Sequence, residues 1–456
     1  MSKSTRQFSS SRVVGAALLC GALALIGCSE AEDSSTVDTD TASTTMPAGI
    51  VTSVPGDGSI VSTYANAEWF GGKVPATARK ADPNATPVKV GIMSADNGAI
   101  AALPELHKGN DAAVAWINDE LGGVGGHPIQ TVFCEVDLSP EKSQLCARKM
   151  AEEKVVAVLS GVDLQAGAAV QILNENGIPW VGGIPISQEE MESKNTFQFS
   201  GGTPGAFVAF SSHAAVDKKF KKVSVMYLEV AQVKTAAIDY GVNLLKKLGV
   251  EVNEVGFDLT TQDYATVAQK AAEGNPDAIF VGAADFACPK VIQALADLQS
   301  TASVYMVGSC ADQKWLKDFA IDAIKGLIFN IESRLDQGAS NSADTELYNA
   351  AMTKYEPETS AMGAATVSFR GTMNLWAILN KVGPTATAAD VIAKFRETSN
   401  EPSFDGHPYT CDGKQIPALP GICAPQQVLI QLEALGKFTE ASDGWIDVPK
   451  IVADNL

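Results

Sequence analysis

The stretch VVAVLSGVDLQAGAAVQILNENGIPWVGG, Val155 to Gly183, decides how the rest of the chain is read. Val155 to Ser160 is a short apolar run rich in β-branched residues that stops at Gly161, the pattern of a strand buried on both faces. Asp163 stands where it can cap a helix that starts near Leu164, turns Ala169, Ile172 and Leu173 inward, and ends at Asn176-Gly177. Ile178 to Val181 is a second apolar run, broken at Gly182-Gly183. Together they spell a βαβ unit with a right-handed crossover. In such a sheet the pocket lies at the carboxyl ends of the strands, so the turns at 160–165 and 182–187 should both face it. The helix after Asp163 should aim backbone N–H groups and its positive dipole end there, which suits a carboxylate or another polar group.

Outward from this unit the alternation repeats. Val88 to Met93 reads as a strand, followed by the loop SADNGAIA and a helix from about Pro104 to Leu121. After GGVGG comes a strand from Pro128 to Glu135, and Ser139-Pro140-Glu141 opens the next helix. The Gly-rich FQFSGGTPGAF at 197–207 reads as a crossing between lobes. A second βα series then runs from Val223 to Val307, with a further strand at Gly326 to Ile331. Helices follow near Asp344 to Tyr355, Ala364 to Leu379 and Ala389 to Thr398, and the alternating run Val428 to Leu435 predicts a hairpin or edge strand. The fold class expected is α/β, with two doubly wound parallel-sheet lobes.

The chain has 456 residues, too many for one core. Its net charge is −19, and 34 − 3 = 31 basic against 53 acidic groups remain once Lys3, Arg6 and Arg12 are set aside, a balance of −22. That excludes nucleic acid as an expected partner, because phosphate binding needs a basic face. Lys3, Arg6 and Arg12 precede the apolar run Val13 to Ile26, too short to span a bilayer comfortably, and Leu25-Ile26-Gly27-Cys28 follows. This resembles a bacterial lipoprotein signal peptide with its lipobox. It implies cleavage after residue 27, lipidation of Cys28 and an extracytoplasmic protein anchored to the cell membrane. A plain secretory signal or short anchor is the alternative. The Ser/Thr/Asp-rich residues after Cys28 read as a flexible tether, and 50–87 as an extension with apolar residues of no clear period.

Of eight cysteines, Cys20 and Cys28 fall in or at the end of this leader, leaving six for an oxidising compartment. Proximity pairs Cys134 with Cys146, Cys288 with Cys310, and Cys411 with Cys423, although fifteen connectivities are possible in principle. A metal site is not expected, since no C-x-x-C or Cys/His cluster occurs. Nor is a cofactor. No G-x-S-x-G, P-loop, H-E-x-x-H or G-x-G-x-x-G after a strand points to an enzyme.

Several blocks resemble the extracytoplasmic substrate-binding proteins of ABC importers, the branched-chain amino acid (Leu/Ile/Val) binding type: VKVGIM at 88–93, AVAWINDELGGVGGHPI at 113–129, PEKSQLCARKM at 140–150, VVAVLSG with NGIPWVGG, and NPDAIFVG at 275–282. The resemblance runs from Val88 to the C-terminus. It implies a type I periplasmic-binding fold, two lobes joined by three crossings, a small-molecule ligand in the cleft, a membrane permease as partner, and a monomer. Residues 88–202 with 332–402 are expected to form the first lobe, and 203–331 with 403–456 the second.

By this resemblance Gly161, Val162, Asp163, Leu164 and Gln165 are candidates to hold a carboxylate by backbone N–H. Gly183, Ile184 and Pro185 form a second anchoring turn, with Ser94 and Asn97 nearby in the first lobe. The second lobe offers Glu229, Gln232, Asp285, Phe286 and Asp312. The chain departs from the family pattern at Ile186, where a hydroxyl is expected, at Val233, where an aromatic residue is usual, and at Ser309-Cys310, where the acid gripping an ammonium belongs. Asp285, Glu229 or Asp312 are the candidate substitutes, and amino acid, amide, or aromatic or aliphatic carboxylic acid ligands all stay open. Each residue also has a plain structural reading. Asp163 caps its helix, Phe286 and Trp180 pack in the core, Glu229 and Asp285 are solvated, and Cys310 braces a loop. A ligand-sensing lipoprotein working with a membrane receptor would use the same fold. A secreted enzyme is a further alternative.

Overall fold

The computed structural model describes residues 52–53, 58–64, 69–98, 102–137, 139–283, 286–333, 343–361 and 363–456. The expected leader, Cys28, the Ser/Thr/Asp-rich tether and Asp285 lie outside them. Val88–Ser94 is the second strand of a five-stranded parallel sheet, flanked by Ile129–Glu135 on one side and by Val158–Ser160, Trp180–Val181 and Thr196–Phe197 on the other. Val88–Ser94, Val158–Ser160 and Trp180–Val181 are almost wholly buried, as apolar runs inside a parallel sheet are, while the edge strand Ile129–Glu135 is mostly half-buried. The helices between them, Pro104–Glu120, Pro140–Glu152 and Ala166–Glu175, cover both faces. Ser139 caps the second of these by accepting from the Lys142 amide, with Pro140 in its first turn.

The second sheet has seven strands in the order Lys437–Glu440, Val428–Ala434, Ile328–Ile331, Ser303–Met306, Ala278–Gly282, Lys222–Leu228 and Glu251–Phe257. The last five are parallel and Val428–Ala434 runs antiparallel to both its neighbours, so the alternating run near 428 opens a hairpin, one of the two forms the sequence predicts, with Lys437–Glu440 as the edge. Two doubly wound parallel-sheet lobes are therefore the architecture. In each sheet the first strand of the series lies inside, with its successors on opposite sides. That places a topological switch point beside the ends of Val88–Ser94 and Lys222–Leu228.

Four local expectations are corrected. The strand of the opening stretch is only Val158–Ser160, and its helix starts at Ala166 with Gln165 at the N-cap and no side-chain cap bond. Asp163 instead accepts the Gln165 amide at 2.8 Å, closing an Asx turn ahead of the helix. The Gly-rich crossing is short: from Gly202 the same residues form the helix Gly202–Ser212, whose Phe207 and Phe210 are fully buried in the second lobe. Gly202, at φ +58°, supplies the left-handed turn that aims the chain into this helix.

The fourth concerns residues 403–424, expected in the second lobe. Phe404, Tyr409, Cys411 and Cys423 instead join the first lobe's core, where Phe404 meets Phe70 and Tyr409 meets Phe199 edge to face. Ile416, Leu419 and Ile422 in turn cover Val208, Leu244 and Val448. The extension ahead of Val88 is likewise part of the first core, through buried Ile60, Val61, Trp69, Phe70 and Val74. The three disulfides pair as neighbours: Cys134–Cys146, Cys288–Cys310 and Cys411–Cys423. Among the described residues no helix is long and apolar enough to cross a membrane, and no group of His, Cys, Asp and Glu could hold a metal ion.

Candidate functional site

A cleft of about 170 Å³ opens between the lobes, at the carboxyl ends of both sheets. From the first lobe, Val162 and Leu164 follow the strand Val158–Ser160, Ile184 and Ile186 follow Trp180–Val181, Leu103 immediately precedes the helix Pro104–Glu120, and Val367 lies in the helix Ala365–Val382. From the second, Leu228 ends the strand Lys222–Leu228 and Val230 follows it, Gly282 ends Ala278–Gly282 and Ala283 follows it, and Val233 and Leu259 close the wall. Both turns of the opening stretch thus reach the space that the βαβ reading assigns to them. Hydroxyls enter from Ser200, Thr203, Ser309, Ser333 and Thr366. Thr366 already donates to the Gly363 carbonyl at 2.9 Å.

One carboxylate lines the cleft among the described residues, that of Glu332. Its Oε1 accepts from the Ser200 hydroxyl at 2.9 Å, the Gly201 amide at 2.8 Å and Gln427 Nε2 at 2.9 Å. Its Oε2 takes Arg370 at 3.1 Å, in an ion pair whose side chains are 3% and 8% exposed. The same guanidinium donates to the backbone carbonyls of Phe199, at 2.9 Å, and of Glu332. Ser200 and Gly201 lie between the last strand of the first sheet and the helix Gly202–Ser212. Glu332 directly follows the strand Ile328–Ile331, and Gln427 directly precedes Val428–Ala434. One buried ion pair therefore ties the three places where the chain passes between lobes. Asn330 extends the knot, giving Nδ2 to Gln427 at 2.8 Å and accepting the Gly308 amide at 2.9 Å.

The residues singled out from the sequence fall into three groups. Val162, Leu164 and Ile184 line the cleft. Ser94, Gly161, Asp163, Gly183 and Pro185 are buried behind it. There the Gly161 amide is spent on Met93 and the Gln165 amide on Asp163, while a Cβ on Gly161 would lie 2.1 Å from Ser94 Oγ. Burial holds the Asp163 carboxyl up at about 6. The third group faces elsewhere. Exposed Asn97 donates to Glu135 at 2.7 Å, exposed Glu229 pairs with Lys234 at 2.8 Å, and Gln232 is half-buried on the next helix. Phe286 packs against the second core under Lys290.

Asp312, 4% exposed, accepts the Lys314 amide at 2.8 Å as a helix cap, and burial raises its pKa. Lys314 in turn reaches Glu105 of the first lobe at 2.9 Å. The three positions that depart from the family pattern, Ile186, Val233 and Ser309, all line the cleft. The sequence reading missed Leu103, Ser200, Thr203, Asn330, Glu332 and Val367. Leu228, Gly282 and Val307 were accessible to it in principle, because each stands at the carboxyl end of a strand that it had identified. Glu332 carried no local signal.

No curated protein matches the chain. Among solved structures, a leucine-binding protein LivK from Thermotoga maritima shares 18% identity over 78% of this chain and 98% of its own, with a TM-score of 0.65. A fatty acid ABC transporter substrate-binding protein from Thermomonospora curvata shares 16% over 82% and 97%, TM-score 0.68. The branched-chain amino acid transporter substrate-binding protein LivJ from Streptococcus pneumoniae, in complex with isoleucine, shares 16% over 78% and 99%, TM-score 0.62. A family model described as periplasmic binding protein matches residues 87–417. With two parallel-sheet lobes and that match over most of its length, the chain belongs to the periplasmic binding protein family, in the type I fold of the LivK and LivJ proteins.

Proposed function

We propose that this chain is the extracytoplasmic solute-binding component of an ABC importer, anchored through a lipid on Cys28, that captures a small molecule by closing its lobes and presents the closed form to a membrane permease. The observation that carries this reading is the cleft at the carboxyl ends of both sheets, with its three crossings gathered on Glu332 and Arg370. The family supports a binding rather than a catalytic role. Similar structures described as leucine-binding and as fatty acid transporter proteins leave the fold compatible with quite different solutes.

Two measurements test the proposal. A true ligand at a hundred times its dissociation constant should add about 2.7 kcal/mol of stability and shrink the particle in small-angle X-ray scattering. Cys28→Ser should move the protein from the membrane fraction to the soluble one. A ligand that stabilises without compaction, or a Cys28→Ser protein that stays membrane-bound, would refute the corresponding half of the proposal.

A further inference from the structure

We infer that the ligand is a mostly hydrocarbon molecule that carries no ammonium group, its single polar end held by hydroxyls and backbone groups. This rests on the solute-binding reading above and names the class of solute. Both walls are aliphatic where they face each other: Val162, Leu164 and Ile186 on one side, Leu228, Val233 and Leu259 on the other. Burying an alkyl chain between such walls stabilises by its area alone, with no direction required. An ammonium group placed there would need a carboxylate partner, because an unpaired buried charge is costly.

The described lining does not offer one. Glu332 is its only ionisable residue, and four donors already reach that carboxylate: Ser200, Gly201 and Gln427 on Oε1, with Arg370 on Oε2. Oε1 is crowded by three donors and Oε2 already has the Arg370 guanidinium as counter-charge, so an incoming ammonium would have to share a carboxylate whose charge is already paired. Glu229 and Asp312 do not line the cleft, and each has a lysine beside it, Lys234 at 2.8 Å and Lys314 at 3.7 Å. What the lining does present are the hydroxyls of Thr203 and Ser309. The cleft is of the same order as the roughly 150 Å³ apolar cavity that holds benzene. A branched or straight chain of modest length is the matching shape.

The experiment compares ligands that differ in their charged groups or in chain length, using calorimetry on the protein with its disulfides oxidised, in detergent-free buffer. Leucine is set against 4-methylpentanamide and 4-methylpentan-1-ol, which keep its skeleton with neither the ammonium nor the carboxylate. A second series runs from butan-1-ol to octan-1-ol, with glutamate and glucose alongside. The expected result is that leucine binds at least tenfold more weakly than either uncharged analogue. Each added methylene should tighten binding about fourfold until the cleft is full.

Leucine binding as tightly as its analogues, above all if Asp285→Asn abolishes it, overturns the inference while leaving the solute-binding reading intact. So does an affinity that ignores chain length, or a preference for glucose or glutamate. Failure of every compound to bind defeats the solute-binding reading itself, and the inference with it.

Discussion

Arg370 and Glu332 show how much of this molecule turns on single side chains. The pair is nearly buried, and the carboxylate's other donors come from residues more than ninety positions away in sequence. Arg370→Met leaves the carboxylate without its counter-charge, so chemical denaturation should show a loss of about 3–5 kcal/mol. The double variant Arg370→Met/Glu332→Gln should recover part of it. Recovery of nothing would mean that the guanidinium's bonds to the Phe199 and Glu332 carbonyls, not the charge, carry the effect.

Glu190 is a second case at this scale. It is fully buried, accepts from Trp180 Nε1 at 3.1 Å and from the amides of Ile186 and Ser187 at 2.9 and 2.8 Å, and burial pushes its carboxyl up to about 7. The folded state therefore holds a proton that the unfolded chain has released near its ordinary 4.5. Its contribution is fully present below about 4.5 and is lost as pH rises through about 7. At about 1.4 kcal/mol per tenfold in proton affinity, the loss is on the order of 3 kcal/mol. His213, whose pKa burial lowers, works the other way up to its ordinary 6.5. The pH slope of wild type minus Glu190→Gln isolates the carboxyl, and should be negative between pH 5 and 7.5.

Among the elements, the turn Gly308–Ala311 has the tightest link between packing and the cleft. It presents Gly308, Ser309 and Ala311 to the ligand space, and Cys310 bonds it to Cys288 at the start of the helix Cys288–Asp297. The sequence separation is 22 residues, for which the chain-entropy argument gives about 3 kcal/mol. Cys288→Ala/Cys310→Ala should lower stability by about that much and weaken ligand binding. The same change at Cys134 and Cys146, which do not line the cleft, should lower stability and leave affinity alone. Equal effects on affinity would show that the bridge near the cleft has no special role.

Across the whole molecule, the lobes meet in the ion pair between Lys314 of the short helix Gln313–Leu316 and Glu105 of the helix Pro104–Glu120. With side chains 37% and 14% exposed, such a pair is worth about 0.2–1 kcal/mol, and salt screens it. It exists only while the lobes are together. Glu105→Gln should therefore reduce the closed fraction and weaken apparent affinity by up to about fivefold, in proportion to the binding-competent population. At high salt the difference from wild type should vanish. An effect that persists in high salt would assign the change to local packing of the helix.

The sequence by itself determined the alternation of strands and helices, the parallel sheets with a hairpin or edge strand near Val428, the neighbouring disulfides, and the two turns of Val155 to Gly183 that face the ligand space. These are local: runs of β-branched residues, glycines that end them, and cysteines close along the chain. Only the tertiary structure decided what fills the cleft and what holds the lobes. Asp163 and Gly161 look like ligand anchors in sequence, yet Asp163 Oδ1 accepts the Gln165 amide and the Gly161 amide goes to Met93, both inside the first lobe. Glu332 and Arg370 look like ordinary charges, yet they hold the crossings together. Residues 403–424 pass into the first core because Phe404 and Tyr409 find Phe70 and Phe199 there. Such partners lie tens to hundreds of residues apart, and no periodicity records which distant surface a side chain will meet.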